Sequence, residues 1–498
     1  MATEYDPDST QKIGAALSYW QGSWPAVSEL HNSNRSKNQL SEYDQHSIQD
    51  GTFNWSEVSL NYQKKFKRKG QELQLVGRYS MSSDKSGYLT KQFTATGTNY
   101  FTEQSPNTGN EKDYSAQLDY THPLGRSNKN FLEMGSRFSS NNSVSDYSVF
   151  NNRDNPGGEV TEDPSRANRM TYHQDIYAAY MSIKLESANA WSLRPGIRYE
   201  GTYLGADFRE TTPSFKASFH NFVPSVMISK SINPKNNIKL NYSTRIRRPW
   251  IWDLNPYIDA SDPNNVTSGN PQLRPEITRM IEVGHSYTPD SGLSLISSIF
   301  VNRNSNSIET LRTVDSLGVS KATPRNVASS QKIGINLNSY WPVTKALTIN
   351  GGIEIYHVRF NSKALQISSD GMVYMITLGT TFMMPYNFTL QANGNYSNRE
   401  ITLQGRTSPN YNYQVALRRE IFDKKGSITL ATTNPFQRTF PLESVMSSST
   451  FDSFSQQRYY NRSFTVSLSW TFGKVNSLNE DGYRSGGEVE TSSGRRRR

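Results

Sequence analysis

The sequence contains no cysteine, and this absence excludes disulfides, thiolate metal sites and cysteine nucleophiles. It also contains no run of about 18 apolar residues, which excludes transmembrane helices. Hydrophobic residues make up 34% of the 498 residues, and the mean hydropathy is -0.71. Both values are low for a packed globular protein of this length, and lower than a helical membrane protein requires.

Aromatic residues, in contrast, are plentiful: the chain has 28 Tyr, 22 Phe and 8 Trp. Disordered chains are poor in aromatic residues, so the polar average does not indicate disorder here. A membrane β-barrel needs both properties, because its lumen and loops are wet, its lipid face is apolar and aromatic girdles mark both interfaces. The composition therefore favours a membrane barrel.

Strict alternation of apolar and polar residues, which marks a strand with two different faces, recurs along the chain. The clearest segments are 191–203, 238–247, 347–355, 388–396 and 464–472. Strands of a soluble sandwich run about 5–6 residues, whereas transmembrane strands need about 9–11. The segments reach the longer length, so their large aromatic residues Trp191, Tyr199, Tyr242 and Phe388 are predicted to face lipid.

Short turns and long polar stretches alternate between these segments, as in bacterial outer-membrane barrels. Turns rich in Pro, Asn, Asp and Gly are predicted at 67–70, 123–129, 187–190, 233–237, 289–292, 342–345, 385–387 and 423–426. Long loops are predicted at 82–112, 249–275 and 435–459. The sequence thus predicts an all-β fold: a transmembrane antiparallel β-barrel of about 18 strands (range 16–22, even number expected) in the outer membrane of a Gram-negative cell.

Three regions follow from the same patterns. Residues 1–11 are predicted to be an N-terminal lead-in, residues 12–473 the barrel, and residues 474–498 a disordered polar tail rich in Gly, Ser, Glu and Arg. The net charge of +10 comes from scattered basic residues, apart from runs at 64–69 and 495–498. We interpret these runs as solvated turn and tail, and expect no nucleic-acid partner.

A proline-rich segment resembles a known family. Residues 242–276 read YSTRIRRPWIWDLNPYIDASDPNNVTSGNPQLRPE. This stretch resembles the barrel core of TonB-dependent outer-membrane receptors, and the matching residues are Tyr242, Ser243, Arg245, Arg248, Pro249, Leu254, Asn255, Pro256, Asp262, Pro263, Gly269, Asn270, Pro271, Leu273, Pro275 and Glu276. Because prolines fix φ and remove backbone donors, the segment is predicted to form a compact loop over the barrel mouth.

The resemblance implies a TonB-dependent receptor or transporter that takes up a scarce, bulky nutrient, such as a metal chelate, an oligosaccharide or a peptide. Receptors of this kind have an N-terminal plug, a TonB box and more strands, so a truncated or a naturally plugless form is expected. An open, porin-like diffusion channel is the alternative, and a barrel enzyme is a third hypothesis. The implied partners are outer-membrane lipid, the barrel-assembly machinery, a TonB-type energy-coupling complex and a surface lipoprotein.

Two groups of candidate functional residues lie outside the loop. A cationic cluster is predicted on the lumen side of neighbouring strands, where it either attracts anions or pairs with interior carboxylates or a plug: Arg194, Arg198, Lys239, Arg245 and Arg247. At the end of the last strand, Trp470 and Phe472 resemble the signal read by the barrel-assembly machinery.

Catalytic and metal-binding motifs are missing from the sequence. It has no HExxH, GxSxG or P-loop pattern. His173 and Asp175 share one face of a predicted strand, and we interpret them as a hydrogen-bonded pair in the lumen. The chain is therefore expected not to be an enzyme and to hold no cofactor or metal.

Overall fold

The computed structural model describes residues 2–36, 39–125, 129–208, 214–256, 258–259, 265–315, 318–423, 425–449 and 451–471. These ranges form strands almost throughout, with one helical turn, α1 (Ile251–Leu254). No helix within them is long and apolar enough to cross a membrane. The predicted tail at 474–498 lies outside the described residues and stays a prediction.

The strands follow one another along the chain with short interruptions. Their bounds are β1 Ala2–Asp8, β2 Gln11–Ser23, β3 Ala26–Ser36, β4 Gln39–Lys65, β5 Glu72–Phe93, β6 Asn99–Leu124, β7 Asn130–Tyr147, β8 Phe150–Asn151, β9 Thr161–Glu162, β10 Asn168–Glu186, β11 Trp191–Phe208, β12 Phe215–Asn233, β13 Asn236–Arg247, β14 Ile258–Asp259, β15 Asn265–Ser268, β16 Glu276–Tyr287, β17 Ser294–Val314, β18 Ser320–Pro342, β19 Leu347–Ser362, β20 Ile367–Met384, β21 Phe388–Ser397, β22 Gly405–Thr407, β23 Asn410–Ile421, β24 Gly426–Thr433, β25 Thr439–Ser447, β26 Asp452–Tyr460 and β27 Ser463–Trp470.

One sheet of 24 strands contains nearly all of them. Five of its strands (β3, β8, β9, β14 and β15) extend the sheet only at the end of the barrel opposite the short turns. The remaining 19 pair antiparallel in chain order from β1 to β27. Continuous antiparallel pairing satisfies the backbone donors and acceptors that lipid cannot. The predicted antiparallel architecture and the range of 16–22 strands are confirmed, with an odd count among the described strands.

The extra strand arises at the N-terminus, where a lead-in was predicted. Residues 2–8 form β1 and pair with β2 through a tight turn at 9–10. Hydrogen bonds from the Thr10 hydroxyl (2.6 Å), the Gln11 amide (2.6 Å) and the Thr10 N–H (2.7 Å) hold the pKa of Asp8 at about 2. The Asp-Ser-Thr sequence at 8–10 is a turn signal of the kind used elsewhere in the chain.

All eight predicted short turns lie between consecutive strands at one end of the barrel. Residues 126–128 and 424, within two of these turns, lie outside the described residues. Two of the predicted long loops at the other end are wrong. Residues 82–112 are mostly strand, because β5 and β6 continue far beyond the length that a bilayer requires. Residues 435–459 contain the hairpin β25–β26, which lies beside β3 near the start of the sheet.

The strands carry an exposed apolar face and a polar face. On β11, Trp191 and Tyr199 are exposed together with Leu193 and Ile197. Tyr242 and Phe388 lie half-buried on the corresponding faces of β13 and β21. Apolar residues exposed in such a band are what a lipid-facing surface requires.

Candidate functional site

The proline-rich loop between β13 and β16 is attached to the inner wall at both ends. Where it begins, the Arg248 guanidinium donates to the Thr202 hydroxyl (2.9 Å) and pairs with Glu200. Where it ends, the Glu276 carboxylate accepts two hydrogen bonds from Arg247 (2.7 and 2.8 Å). Charge-assisted, bidentate contacts of this kind fix orientation as well as position.

The middle of the loop closes on itself around Gly269. The Gly269 N–H donates to the Asn255 carbonyl (2.9 Å), and the Asn270 N–H donates to the Asp253 carbonyl (2.6 Å). A Cβ at position 269 would lie 2.3 Å from the Asn255 oxygen and 2.8 Å from the Asp253 oxygen. Only glycine fits between these backbone segments, which accounts for the Gly-Asn-Pro part of the motif.

Two leucines hold the loop against the inner wall. Leu254 and Leu273 are almost completely buried in a cluster with Met170, Tyr172 and Leu204 of β10 and β11. Burying a leucine side chain contributes about 1.5–3 kcal/mol.

Other motif residues complete this packing, while Asp262 and Pro263 lie outside the described residues. Pro249 and Pro275 are buried, Pro256 and Pro271 are partly buried, and the Asn270 amide donates to the Pro324 carbonyl of β18 (3.1 Å). The loop reaches as far as β4, where the Asn265 amide donates to the Tyr43 hydroxyl (3.4 Å). The motif therefore folds inward across the mouth.

A cavity of about 660 Å³ lies between this loop and the inner wall. Small-molecule sites commonly fall in the range of about 300–1,000 Å³. Four aromatic residues line it: Trp24, Tyr88, Tyr147 and Trp252. The polar lining residues with carboxylate or amide groups include Gln49, Asn107, Asp253, Asn255 and Asp259.

The charged residues of this cavity lining are all acidic. Asp253 and Asp259 contribute carboxylates, whereas no Lys or Arg belongs to the lining. Asp253 also accepts a hydrogen bond from the Trp250 N–H (3.1 Å) at the start of the helical turn. The lining therefore presents negative charge, hydroxyls, amides and aromatic rings.

A buried ion pair stands behind one wall of the cavity. The Tyr88 hydroxyl donates to Glu103 Oε1 (2.7 Å), and the same oxygen accepts from Arg166 Nη2 (2.9 Å). Glu103 is fully buried and the Arg166 side chain is 8% exposed. Sequence reasoning missed this pair and the cavity aromatics, because no local pattern links residues from such distant strands.

The predicted lumen cations divide into two groups. Arg194 pairs with Glu133, Arg198 with Glu200 and Arg247 with Glu276. Lys239 and Arg245 lie exposed on the inner side of β13. For the first group the structure favours pairing with interior carboxylates, which was one of the two interpretations of the cluster.

Two further arginines line the same wall. Arg137 of β7 lies within electrostatic range of Arg78 of β5 and of Arg198. In the described part of the chain, no ion pair joins Arg78 or Arg137 to a carboxylate. These two side chains were not singled out from the sequence.

Comparison with known proteins assigns the family. A model described as the outer membrane protein beta-barrel family matches residues 64–470. The chain belongs to the outer membrane protein beta-barrel family. No curated protein sequence matches it at a significant level.

Solved structures of similar fold include receptors and a transporter. The copper transporter OprC has a TM-score of 0.56 at 10% identity, over 93% of this chain and 76% of that one. The ferric yersiniabactin uptake receptor FyuA from Yersinia pestis has a TM-score of 0.54 at 8% identity, over 94% and 76%. A mutant of the ferric enterobactin receptor PfeA from Pseudomonas aeruginosa has a TM-score of 0.51 at 12% identity, over 95% of this chain and 79% of that one.

At these identities the likeness establishes the fold. The predicted resemblance to the barrel region of TonB-dependent receptors is confirmed at that level, and so is the outer-membrane location of this family member.

The remaining candidate residues lie away from the cavity. His173 Nε2 is 2.9 Å from Asp175 Oδ2, as predicted. The pair, however, shares the outer face of β10 with Tyr177 and Met181 instead of facing the lumen. The spans of the chain that the structure describes contain no cluster of three or more His, Asp or Glu suited to a metal ion.

The predicted assembly signal is only partly described. Trp470 is the last residue of β27, opposite Gly426 of β24, and its ring lies 4.8 Å from that of Phe422. Phe472 lies outside the described residues.

Proposed function

We propose that this outer-membrane barrel is a receptor and transporter that captures a scarce, bulky nutrient at its outward mouth and passes it inward. The observation that carries the proposal is the inward-folded loop, which encloses a cavity of ligand size against the barrel wall. Rigid attachment through Arg248 and Glu276 suits a binding site, because a pre-ordered site loses less entropy on binding.

The names of the similar structures support the same proposal. They describe uptake receptors for ferric chelates and a copper transporter. For this chain we infer the same general activity, together with a TonB-type energy-coupling complex, a surface lipoprotein and the barrel-assembly machinery as partners.

Deletion of the gene from its host tests this function. Mutant and complemented cells are grown with one limiting nutrient at a time: a ferric chelate, an oligosaccharide or a short peptide. We expect a growth defect on one class, restored by the wild-type chain but not by a variant in which residues 251–270 are replaced by a Gly-Ser linker. Equal growth of mutant and complemented cells on all three classes would contradict uptake.

A passive diffusion channel is the second candidate function. The charged and polar lumen wall, with Arg78 and Arg137 among its residues, favours it, since a wide polar barrel leaves an aqueous path. A protonophore separates the two candidates: energised uptake stops when the proton gradient collapses, whereas diffusion through an open channel continues.

A further inference from the structure

The geometry points to a substrate class: we propose that the cavity between the proline-rich loop and β4–β7 binds a short, uncharged oligosaccharide. This inference rests on the proposed uptake function and narrows it. It depends on the charge of the cavity lining, the placement of its aromatic rings and its mixture of hydrogen-bonding groups.

Charge excludes one broad class of ligand. Asp253 and Asp259 line the cavity and no Lys or Arg does. An anionic chelate entering it would meet these two carboxylates and no cation in the lining, which costs binding free energy and slows its approach. A bare metal ion is also disfavoured, because the described carboxylates do not converge into a cluster of three or more ligands.

The two tryptophans of the cavity lining come from separate parts of the chain. Trp252 belongs to the proline-rich loop and is 59% exposed, while Trp24, which is 38% exposed, lies in the connection between β2 and β3. Indole rings are large, flat and apolar on their faces. The C–H-bearing face of a sugar ring is also flat and apolar, so such a ring stacks well on an indole.

The polar residues of the lining match the hydroxyl groups at the edge of a sugar ring. Gln49 and Asn107 offer amide donors and acceptors, Ser86 and Thr267 offer hydroxyls, and Asp259 offers acceptors. A hydroxyl group both donates and accepts, so a polyhydroxylated ligand satisfies this mixture. An ammonium or guanidinium group only donates and would leave the amide N–H groups without acceptors. A volume of about 660 Å³ holds a few sugar rings rather than one.

An array of neutral and acidic oligosaccharides tests the proposal directly. The full chain, purified in detergent and labelled with a fluorophore, is applied to glycans of two to five rings and to their uronic-acid and sialylated counterparts. We expect binding to a neutral glycan and at least tenfold weaker binding to its acidic counterpart. Titration with trilysine tests whether the protein prefers a cationic ligand.

Matched variants locate the binding in this cavity. Trp252→Ala should weaken the affinity for the selected glycan at least tenfold, because it removes the stacking surface on the loop. Trp250→Ala is the control: Trp250 lies in the same loop, is 42% exposed and does not line the cavity, so it should change affinity less than twofold. Asp259→Asn should have a small effect on a neutral sugar, whereas it would weaken a cationic ligand strongly.

Several outcomes would overturn the proposal. The proposal fails if the folded protein binds no neutral glycan, if it prefers acidic glycans, or if it binds trilysine more tightly than any glycan. It also fails if Trp252→Ala and Trp250→Ala have equal effects on affinity. Failure here and failure of the uptake function are distinguishable. If the deletion mutant grows poorly on a ferric chelate or a peptide and the protein binds no glycan of the array, only the sugar assignment is refuted. If the mutant has no growth defect, uptake is refuted even if a glycan binds.

Discussion

At Gly269 the loop backbone passes so close to Asn255 and Asp253 that the site has no room for a methyl group. We predict that Gly269→Ala destabilises the loop by about 1–3 kcal/mol, because backbone atoms must move. Chymotrypsin should then cleave the loop after Trp252, which is 59% exposed, about tenfold faster. Gly77→Ala is the control, since a Cβ there meets nothing within 4 Å; equal cleavage of the two variants would contradict the prediction.

The buried pair of Glu103 and Arg166 gives a second prediction at the scale of residues. Glu103→Gln removes the carboxylate that pairs with the buried guanidinium of Arg166, which should cost about 3–5 kcal/mol. Replacing both residues, as Glu103→Gln with Arg166→Met, should recover much of this loss because no charge remains. The measurement is urea unfolding of the refolded barrel in vesicles. A double variant that is no more stable than the single one would rule out the ion-pair explanation.

At the scale of elements, β27 tests the predicted assembly signal. Trp470 packs on Phe422 at the turn end of the barrel. Trp470→Ser should lower the fraction of heat-modifiable, folded protein in membranes, because the closing strand loses its aromatic anchor at the interface. Phe436→Ser is the control, since Phe436 is 91% exposed and lies in the connection between β24 and β25. Equal folded fractions for Trp470→Ser and the wild type would show that another segment carries the signal.

Strand identity was predictable from the sequence, but strand length was not. Alternation at 191–203 and 238–247 located β11 and β13, because each strand there has one apolar and one polar face. Where β5 and β6 rise out of the bilayer, both faces meet water and alternation fades. Residues 82–112 were therefore predicted as loop although their backbones stay paired.

For the molecule as a whole, ion conduction tests how much of the cationic cluster is neutralised. Arg194 is paired with Glu133, so the double variant Arg194→Gln with Glu133→Gln should leave the ion selectivity of the pore nearly unchanged. Arg78→Gln with Arg137→Gln removes two positive charges that no ion pair described here offsets, and it should shift selectivity toward cations.

Reversal potentials in planar bilayers under a salt gradient measure both effects. Equal shifts for the two double variants would contradict the pairing seen in the lumen. A correctly inserted barrel that conducts no ions would refute the open channel altogether.

The sequence by itself determined the barrel, eight of its short turns and the loop motif, because period-2 alternation, turn residues and prolines act over a few neighbouring residues. Tertiary structure alone decided which charges pair and where a ligand fits. Arg194 meets Glu133 from 61 residues away, and Asn265 meets Tyr43 from 222 residues away. Such contacts depend on strand register and on the loop folding inward, and both are set only when distant strands come together around one lumen.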